Sequence, residues 1–455
     1  MFDALGPCRS VIWIYGKNHL DRPFLVLSID SLLACGCQVT VIDANGVPAQ
    51  AGYSRIGAFD PMPAYERWVR LKDFSRIYLK GIQNWAQRPI TTYFHRSRTG
   101  TWRDVLLIRW RLVEVIPLYV AIRFITLLRI LLRAWGTARL RWFSPLQRNI
   151  NAAGHLLFRP CDVIVATRPP ECIVAFVVAR LRRKRFVYYP FELYGCQHSR
   201  SSTVMAYFER QMLKRGVDAL ITQNSHRATV YRQRGARIEP VIIRNFKPLR
   251  TAKGGLLRTA LGLRREQRIV LYEGGLTQGR WLDNLARASM VFDSNVVFVM
   301  LGSRNSWWRQ HADEFVAVPQ SMGRLIIADA VPHDVLIDYV ADADVGVIIY
   351  DDAVLNNFYC EPGKLSDYVH AMVPVIAPDF PTIAPLIKEL GVGVCFHGGT
   401  PQAIAKAVQE VLKKDRRTWQ IALARAAGLI DWSSQSPSLI AAVTGGRAPT
   451  SAATR

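Results

Sequence analysis

A chain of 455 residues, half of them hydrophobic and a tenth aromatic, is long and apolar enough for two or three domains with their own cores, which excludes a disordered chain. Its eight cysteines are scattered, with only Cys35 and Cys37 close together; this excludes zinc spacing and a disulfide framework and predicts reduced thiols in the cytosol. The net charge of +24 sits wholly in residues 1–250, with 39 Lys+Arg and 15 Asp+Glu against 20 and 20 beyond, predicting a domain boundary near 250 and a polyanionic partner for the first half.

The chain opens with an apolar strand, Val11–Tyr15, a helix from about Phe24 to Ala34, and a second strand, Gln38–Asp43. This is a βαβ unit without a Gly-x-Gly-x-x-Gly turn, so dinucleotide binding is not predicted. VIWIYG lacks a basic stretch before it and a long apolar run after it, and reads as a strand rather than a signal peptide. Residues 51–100 show no period.

Val105–Trp135 is different. Its longest uncharged run, Val115–Ile122, is too short to span a membrane. At helical spacing Arg109, Arg111, Arg123, Arg129 and Arg133 fall within an arc of about 160°. Leu, Ile, Val and Phe lie opposite, with Glu114 intruding and Pro117 able to kink the helix. Such a helix either docks on an anionic membrane surface or packs on its own domain with its arginines in water. Arg141-Trp142-Phe143 continues the basic, aromatic character and favours the membrane.

Further strands follow at Cys161–Thr167, Phe186–Tyr189, Ala219–Thr222 and Val241–Ile243, separated by helices, the first entered at Pro169-Pro170. Phe246–Gly255 has the composition of a linker.

The second half repeats the alternation. Strand Arg268–Glu273 ends on Gly274-Gly275-Leu276, with Arg280 just beyond. Two glycines at a strand end let backbone amides approach a pyrophosphate, and Arg280 offers a donor fork. Strands Val296–Leu301 and Leu325–Ala328, a Val331-Pro332 turn and strand Val345–Tyr350 lead to Glu361-Pro362-Gly363-Lys364, where a helix starts. A helix start carrying Lys364 suits a phosphate, and Asp367, on the same helix, suits sugar or ribose hydroxyls. The alternative is a helix that merely begins after a proline and carries surface charge. Strands near Val373–Ala377 and Phe396, a helix Pro401–Leu412 and a helix from about Arg416 complete the chain; Ala448–Arg455 has disordered composition.

The run EPGKLSDYVHAMVPVIAPDFPTI resembles the donor-binding segment of GT-B-fold, family-4-like glycosyltransferases (glycosyl transferases group 1). It matches at Pro362, Lys364, Leu365, Asp367, Tyr368, Pro374, Val375 and Ile376. Tyr359 stands where many relatives carry an earlier glutamate, and Met372 where a glycine is usual. GGLTQGRW is similar to the family's phosphate loop, with Gly275 in place of an arginine and Trp281 in place of a glycine. VYYPFELYG resembles an acceptor-side segment at Glu192, Leu193 and Tyr194, with Phe191 at the family's histidine; Glu192 either binds acceptor hydroxyls or caps the next loop.

The resemblance implies an α/β GT-B architecture: two Rossmann-like domains facing across a cleft. Residues 1–247 are expected to be an acceptor-binding, membrane-associating domain, 248–255 a linker, 256–430 a nucleotide-sugar domain whose helix from about Arg416 is expected, as in relatives, to cross back to the first domain, and 431–455 a partly disordered tail. It implies catalytic roles for Arg280, Lys364 and Glu192, and donor binding by Gly274, Gly275, Leu276, Val331, Lys364, Leu365 and Asp367. It further implies a nucleotide-diphospho-sugar donor, no metal or other cofactor, retention of configuration, and a lipid-linked or saccharide acceptor. An enzyme at the inner face of the cell membrane, cytoplasmic and peripheral, with no nucleic-acid partner, is the expectation. A sugar-nucleotide epimerase of the same fold and a basic nucleic-acid-binding protein are the alternatives.

Overall fold

The computed structural model describes residues 10–14, 23–43, 54–57, 152–194 and 200–446. The expected arginine helix, with Arg109, Arg111, Arg123, Arg129 and Arg133, lies outside them. Among the described residues no helix is long and apolar enough to cross a membrane.

Short apolar runs such as VIWI, VIVA and ALIT are buried along their length, the signature of strands covered on both faces, and they form parallel sheets. The first sheet holds seven parallel strands in the order β3-β2-β1-β4-β5-β6-β7. These are β1 (Ser10–Ile14), β2 (Gln38–Asp43), β3 (Ser54–Gly57), β4 (Val163–Ala166), β5 (Arg185–Tyr188), β6 (Ala219–Thr222) and β7 (Val241–Ile242). The second holds six in the order β10-β9-β8-β11-β12-β13. These are β8 (Arg268–Glu273), β9 (Val296–Leu301), β10 (Leu325–Ala328), β11 (Val345–Val347), β12 (Val375–Pro378) and β13 (Gly393–Phe396). The strand order reverses between β1 and β4 and between β8 and β11, and ligands of such sheets bind beyond the carboxyl ends of the strands at these points.

Helices cover both faces of the first sheet. Cys172, Phe176, Met212, Leu213 and Tyr231 pack on one side. On the other, Leu25, Ile29 and Leu32 pack beside Leu439, Ala442 and Val443, which come from the far end of the chain. The helix Arg416–Leu429, expected to cross back, instead inserts Trp419, Leu423 and Ala426 into the core of the second sheet. The crossing falls at Ile430–Trp432. Residues 431–446 are therefore not part of a tail. Trp432 Nε1 donates to Ser31 Oγ (3.0 Å), and Arg185 holds the final carbonyls of helix Ser436–Thr444, Val443 and Ala442, at 3.0 and 2.9 Å. The stripe Leu439, Ala442, Val443 is one helical face, too short to stand out in a sequence but sufficient to bury. The two crossings between domains run together, since Trp432 N–H donates to Lys247 C=O (3.2 Å) and Leu249 N–H to Asp431 (2.7 Å).

Candidate functional site

The site grows from the carboxyl end of β8, where side chains alternate between faces. Tyr272 meets two cations: Lys364 Nζ lies over its ring, 3.9 Å from the centroid, and Arg280 donates to its hydroxyl at 3.0 Å. That hydroxyl itself donates to Gly275 C=O (2.9 Å). Lys364 is thus left with the ring face, and its buried Nζ has no hydrogen-bond partner. Gly274 explains how the lysine fits. Its φ of +123° suits glycine, and a Cβ there would stand 2.8 Å from Lys364 Nζ. Tyr350 completes the cradle, with the Arg280 guanidinium 5.1 Å from its ring centroid. The outcome is two positive groups, held over aromatic faces, with few anions to neutralise them.

Glu273 belongs to the other side of the strand. It is buried, and its Oε1 has no hydrogen-bond partner. Its N–H donates to the hydroxyl of Tyr368, a residue of the helix Lys364–His370 (3.2 Å). Its charge is felt by Asp367, Lys364 and His333. Asp367 is buried and paired with Lys247, which reaches it from the edge of the linker. Burial, the dominant influence, pushes the Asp367 pKa up against the pull of Lys247. Glu361, at the start of the loop, receives Arg244 Nε at 2.9 Å, and its carbonyl receives Asn245 Nδ2 at 2.7 Å. Both carboxylates are therefore gripped by residues that lead out of the first domain.

The structure brings Gly274, Gly275, Arg280, Lys364 and Asp367 to one strand end, but it redistributes their parts. Gly274 N–H is spent on the ladder to Leu301 C=O (2.9 Å) and Leu276 N–H on Ser303 C=O (2.8 Å), while Gly275 N–H makes no hydrogen bond. Leu276 and Leu365 are core side chains, so they anchor the loops rather than line the site. The first-turn amides of Leu365 and Ser366 close local turns onto Pro362 and Gly363, both at 3.1 Å, and are not offered to a ligand. Val331 is half-buried just beyond β10. Glu192 lies in the loop after β5: Tyr231 donates to its carbonyl (3.4 Å), and the next N–H, of Leu193, donates to Asn356 Oδ1 of the second domain (2.8 Å).

Two departures from the family pattern prove conformationally conservative. Trp281 and Met372 both adopt positive φ, +40° and +59°, the left-handed region that glycine ordinarily fills. Trp281 is accommodated because Gly399 has no side chain; a Cβ there would lie 2.2 Å from the indole. Sequence reasoning missed Glu273, hidden in an apolar strand, and Lys247, read as linker. It also missed Arg227, whose only local signal is an arginine two residues after the helix-capping Asn224-Ser225.

Burial, the largest influence on it, holds the Lys364 pKa below the ordinary lysine value, opposed in part by Tyr272 and then by Glu273. An anion needs the protonated form. Affinity for a nucleoside diphosphate, measured by calorimetry across pH, should therefore fall as pH rises, beginning below the ordinary lysine range. Lys364→Arg should remove that alkaline loss. Wild-type affinity that stays flat through the ordinary lysine range would show that the charge is not used.

No protein-family model matches the chain, and no curated protein sequence matches it. Solved structures do. HepE of Anabaena, in complex with UDP, is 12% identical with a TM-score of 0.62 over 95% of this chain and 98% of that one. Sucrose-phosphate synthase of Thermosynechococcus elongatus is 12% identical with a TM-score of 0.62 over 95% and 97%. WaaG, a glycosyltransferase involved in lipopolysaccharide biosynthesis, is 13% identical with a TM-score of 0.61 over 96% and 100%. At such identities the likeness is one of fold across both domains.

Proposed function

From its two-domain GT-B fold, we propose that the chain is a glycosyltransferase that takes a sugar from a nucleotide-diphospho-sugar. The observation that carries this is the buried, unpartnered Lys364 ammonium beside Arg280 at the sheet switch point. A buried cation without a partner is costly to keep, and an arriving diphosphate supplies the missing anion. On the opposite face of β8, Glu273 and Asp367 accept hydrogen bonds from the ribose hydroxyls once Lys247 yields part of its pairing. HepE complexes with UDP, UDP and glucose, and UDP-glucose support a nucleotide-sugar donor.

In the reaction, an acceptor hydroxyl oxygen bonds to the anomeric carbon while the bond from that carbon to the diphosphate oxygen breaks. The charge growing on the departing diphosphate falls to Arg280, Lys364 and the Gly275 N–H, groups already oriented before substrate arrives. With these cations in place we infer that no metal is needed and, from the family resemblance, that configuration is retained. Transfer or slow hydrolysis of UDP-, GDP- or ADP-sugars should persist in excess EDTA. Activity that vanishes in EDTA and returns with Mg²⁺ or Mn²⁺ would overturn the metal-free reading, and inertness toward every nucleotide sugar would overturn the function.

For the acceptor we infer a lipid-linked saccharide met at an anionic membrane surface. Its support is the charge of +24 concentrated in residues 1–250 and the arginine arc of Val105–Trp135, together with the role of WaaG in lipopolysaccharide biosynthesis. Each basic residue near an anionic leaflet contributes on the order of 1 kcal/mol. The protein should sediment with anionic liposomes, less so in high salt, and hardly with neutral ones. Changing Arg123, Arg129 and Arg133 to Glu should release it while nucleoside diphosphate binding persists; retention of that triple variant on the vesicles would remove this helix as the anchor.

A further inference from the structure

We propose that Arg227 is a positioning residue that couples the acceptor-side loop of the first domain to the donor loop of the second. Arg227 sits in the helix Ser225–Gln233 and is 4% exposed. Its guanidinium makes five hydrogen bonds, all to neutral oxygens. Two stay in the first domain, to Phe191 C=O and Gln223 Oε1, both at 2.8 Å. Three cross to the second: Tyr359 C=O at 3.0 Å, Asn356 C=O at 3.1 Å and Asn356 Oδ1 at 3.0 Å. The fork geometry of arginine, with its fixed set of donors, suits such a multipoint clamp in a way that no other side chain does.

The clamp is reinforced around its rim. Asn224 Nδ2 donates to the same Tyr359 carbonyl (3.1 Å), the His226 ring stacks on Tyr359 (5.5 Å, 12°), and Leu193 N–H shares Asn356 Oδ1. The segment so gripped is a single helical turn, Leu355–Phe358, and its two asparagines face different partners. Asn356 serves the first domain. Asn357 donates from Nδ2 to Gly279 C=O (3.2 Å) and to Asp351 Oδ1 (3.0 Å), while Asp351 N–H also donates to Gly279 C=O (3.1 Å). Gly279 immediately precedes Arg280. A chain of direct contacts therefore runs from the loop bearing Glu192, through Arg227, Asn356 and Asn357, to the loop bearing Arg280. The placement of Arg280 is tied to the two domains being closed on each other. A diphosphate bound by the Arg280 so placed then favours closure, and closure presents Glu192 to the acceptor.

This inference rests on the proposed glycosyltransfer for its kinetic consequence, but not for its structural one. Hydrogen exchange of the free protein reads the second directly. In Arg227→Gln, amides of residues 190–194, 274–281 and 355–360 should all exchange faster, whereas in Asn357→Ala only 274–281 should loosen. Arg227→Lys should lie between wild type and Arg227→Gln. Added UDP should slow exchange at 190–194 in the wild type but not in Asn357→Ala, because the relay is cut on the donor side. With UDP-glucose, or whichever nucleotide sugar the wild type turns over, Arg227→Gln should lower kcat at least tenfold and change KM for the donor by less than threefold. Wild-type exchange in all three segments of Arg227→Gln, or UDP protection of 190–194 that survives in Asn357→Ala, would overturn the coupling. Should Arg227→Gln not fold, Asn357→Ala, which removes only a side chain near the surface, decides the question alone. A wild type inert toward nucleotide sugars, with the exchange pattern as stated, would overturn the proposed function and leave the coupling standing.

Discussion

Lys364→Met should abolish most transfer activity while making the protein more stable. Removing one preorganised donor to the departing diphosphate costs about 10²–10³-fold in kcat, about 2.7–4 kcal/mol of transition-state stabilisation. The same substitution relieves the fold of a buried ammonium whose Nζ has no hydrogen-bond partner and whose pKa burial already depresses. A thioether of similar length on the ring face of Tyr272 makes an acceptable core contact. Stability should rise by about 1 kcal/mol, read as a higher unfolding midpoint, although Met loses the attraction of the cation for the aromatic faces. Arg280→Ala should cost a similar factor in kcat without the gain, because Arg280 has a partner, the Tyr272 hydroxyl. The double variant should lose less than the product of the two, since both act on one leaving group. Full activity in Lys364→Met would remove the lysine from the chemistry. Lost activity with lowered stability would assign Lys364 a structural role instead.

The parts of this arrangement that could be read from the sequence were those written in local pattern. Continuous apolar runs announced the buried parallel strands, and Pro362 and Lys364 marked the loop and its cation. The Gly274-Gly275 pair marked a close backbone approach, although Lys364, ninety residues further along the chain, is what approaches Gly274. What escaped depended on pairings between distant residues. Asp367 has the composition of a free hydroxyl acceptor, yet Lys247 already holds it. The Gly274 and Leu276 amides look available in sequence, but the ladder to β9 and the carbonyl of Ser303 consume them. Trp281 and Met372 carry no sign of a left-handed backbone; tertiary packing imposes it, with the room for Trp281 left by a glycine in another loop. Arg227 lacked any charge periodicity, and its meaning comes from five oxygens that the fold assembles around it.

Gly302→Ala should be among the most damaging single substitutions in the second domain. Gly302 follows β9, its N–H donates to Ala328 C=O at 3.0 Å, and the position is boxed in by the chain leaving β8. A Cβ on Gly302 would stand 1.7 Å from Gly274 C=O and 2.7 Å from its carbonyl carbon. Those are backbone atoms and cannot swing aside like a side chain. The Gly274 N–H is held by Leu301, so relief requires the strand ends to part. Overpacking of this kind costs about 3 kcal/mol or more. The damage should reach function as well, because the atoms displaced belong to the glycine against which Lys364 Nζ rests. Gly428, near the end of helix Arg416–Leu429, provides the contrast: nothing lies within 4 Å of its would-be Cβ. Alanine there should be neutral or add up to about 0.5–1 kcal/mol by helix propensity. Urea unfolding of both variants, with nucleoside diphosphate titrations on whatever remains folded, checks the pair. Wild-type stability and affinity in Gly302→Ala would mean that the β8 and β9 ends are not packed as described, and the cradle built on them would have to be redrawn.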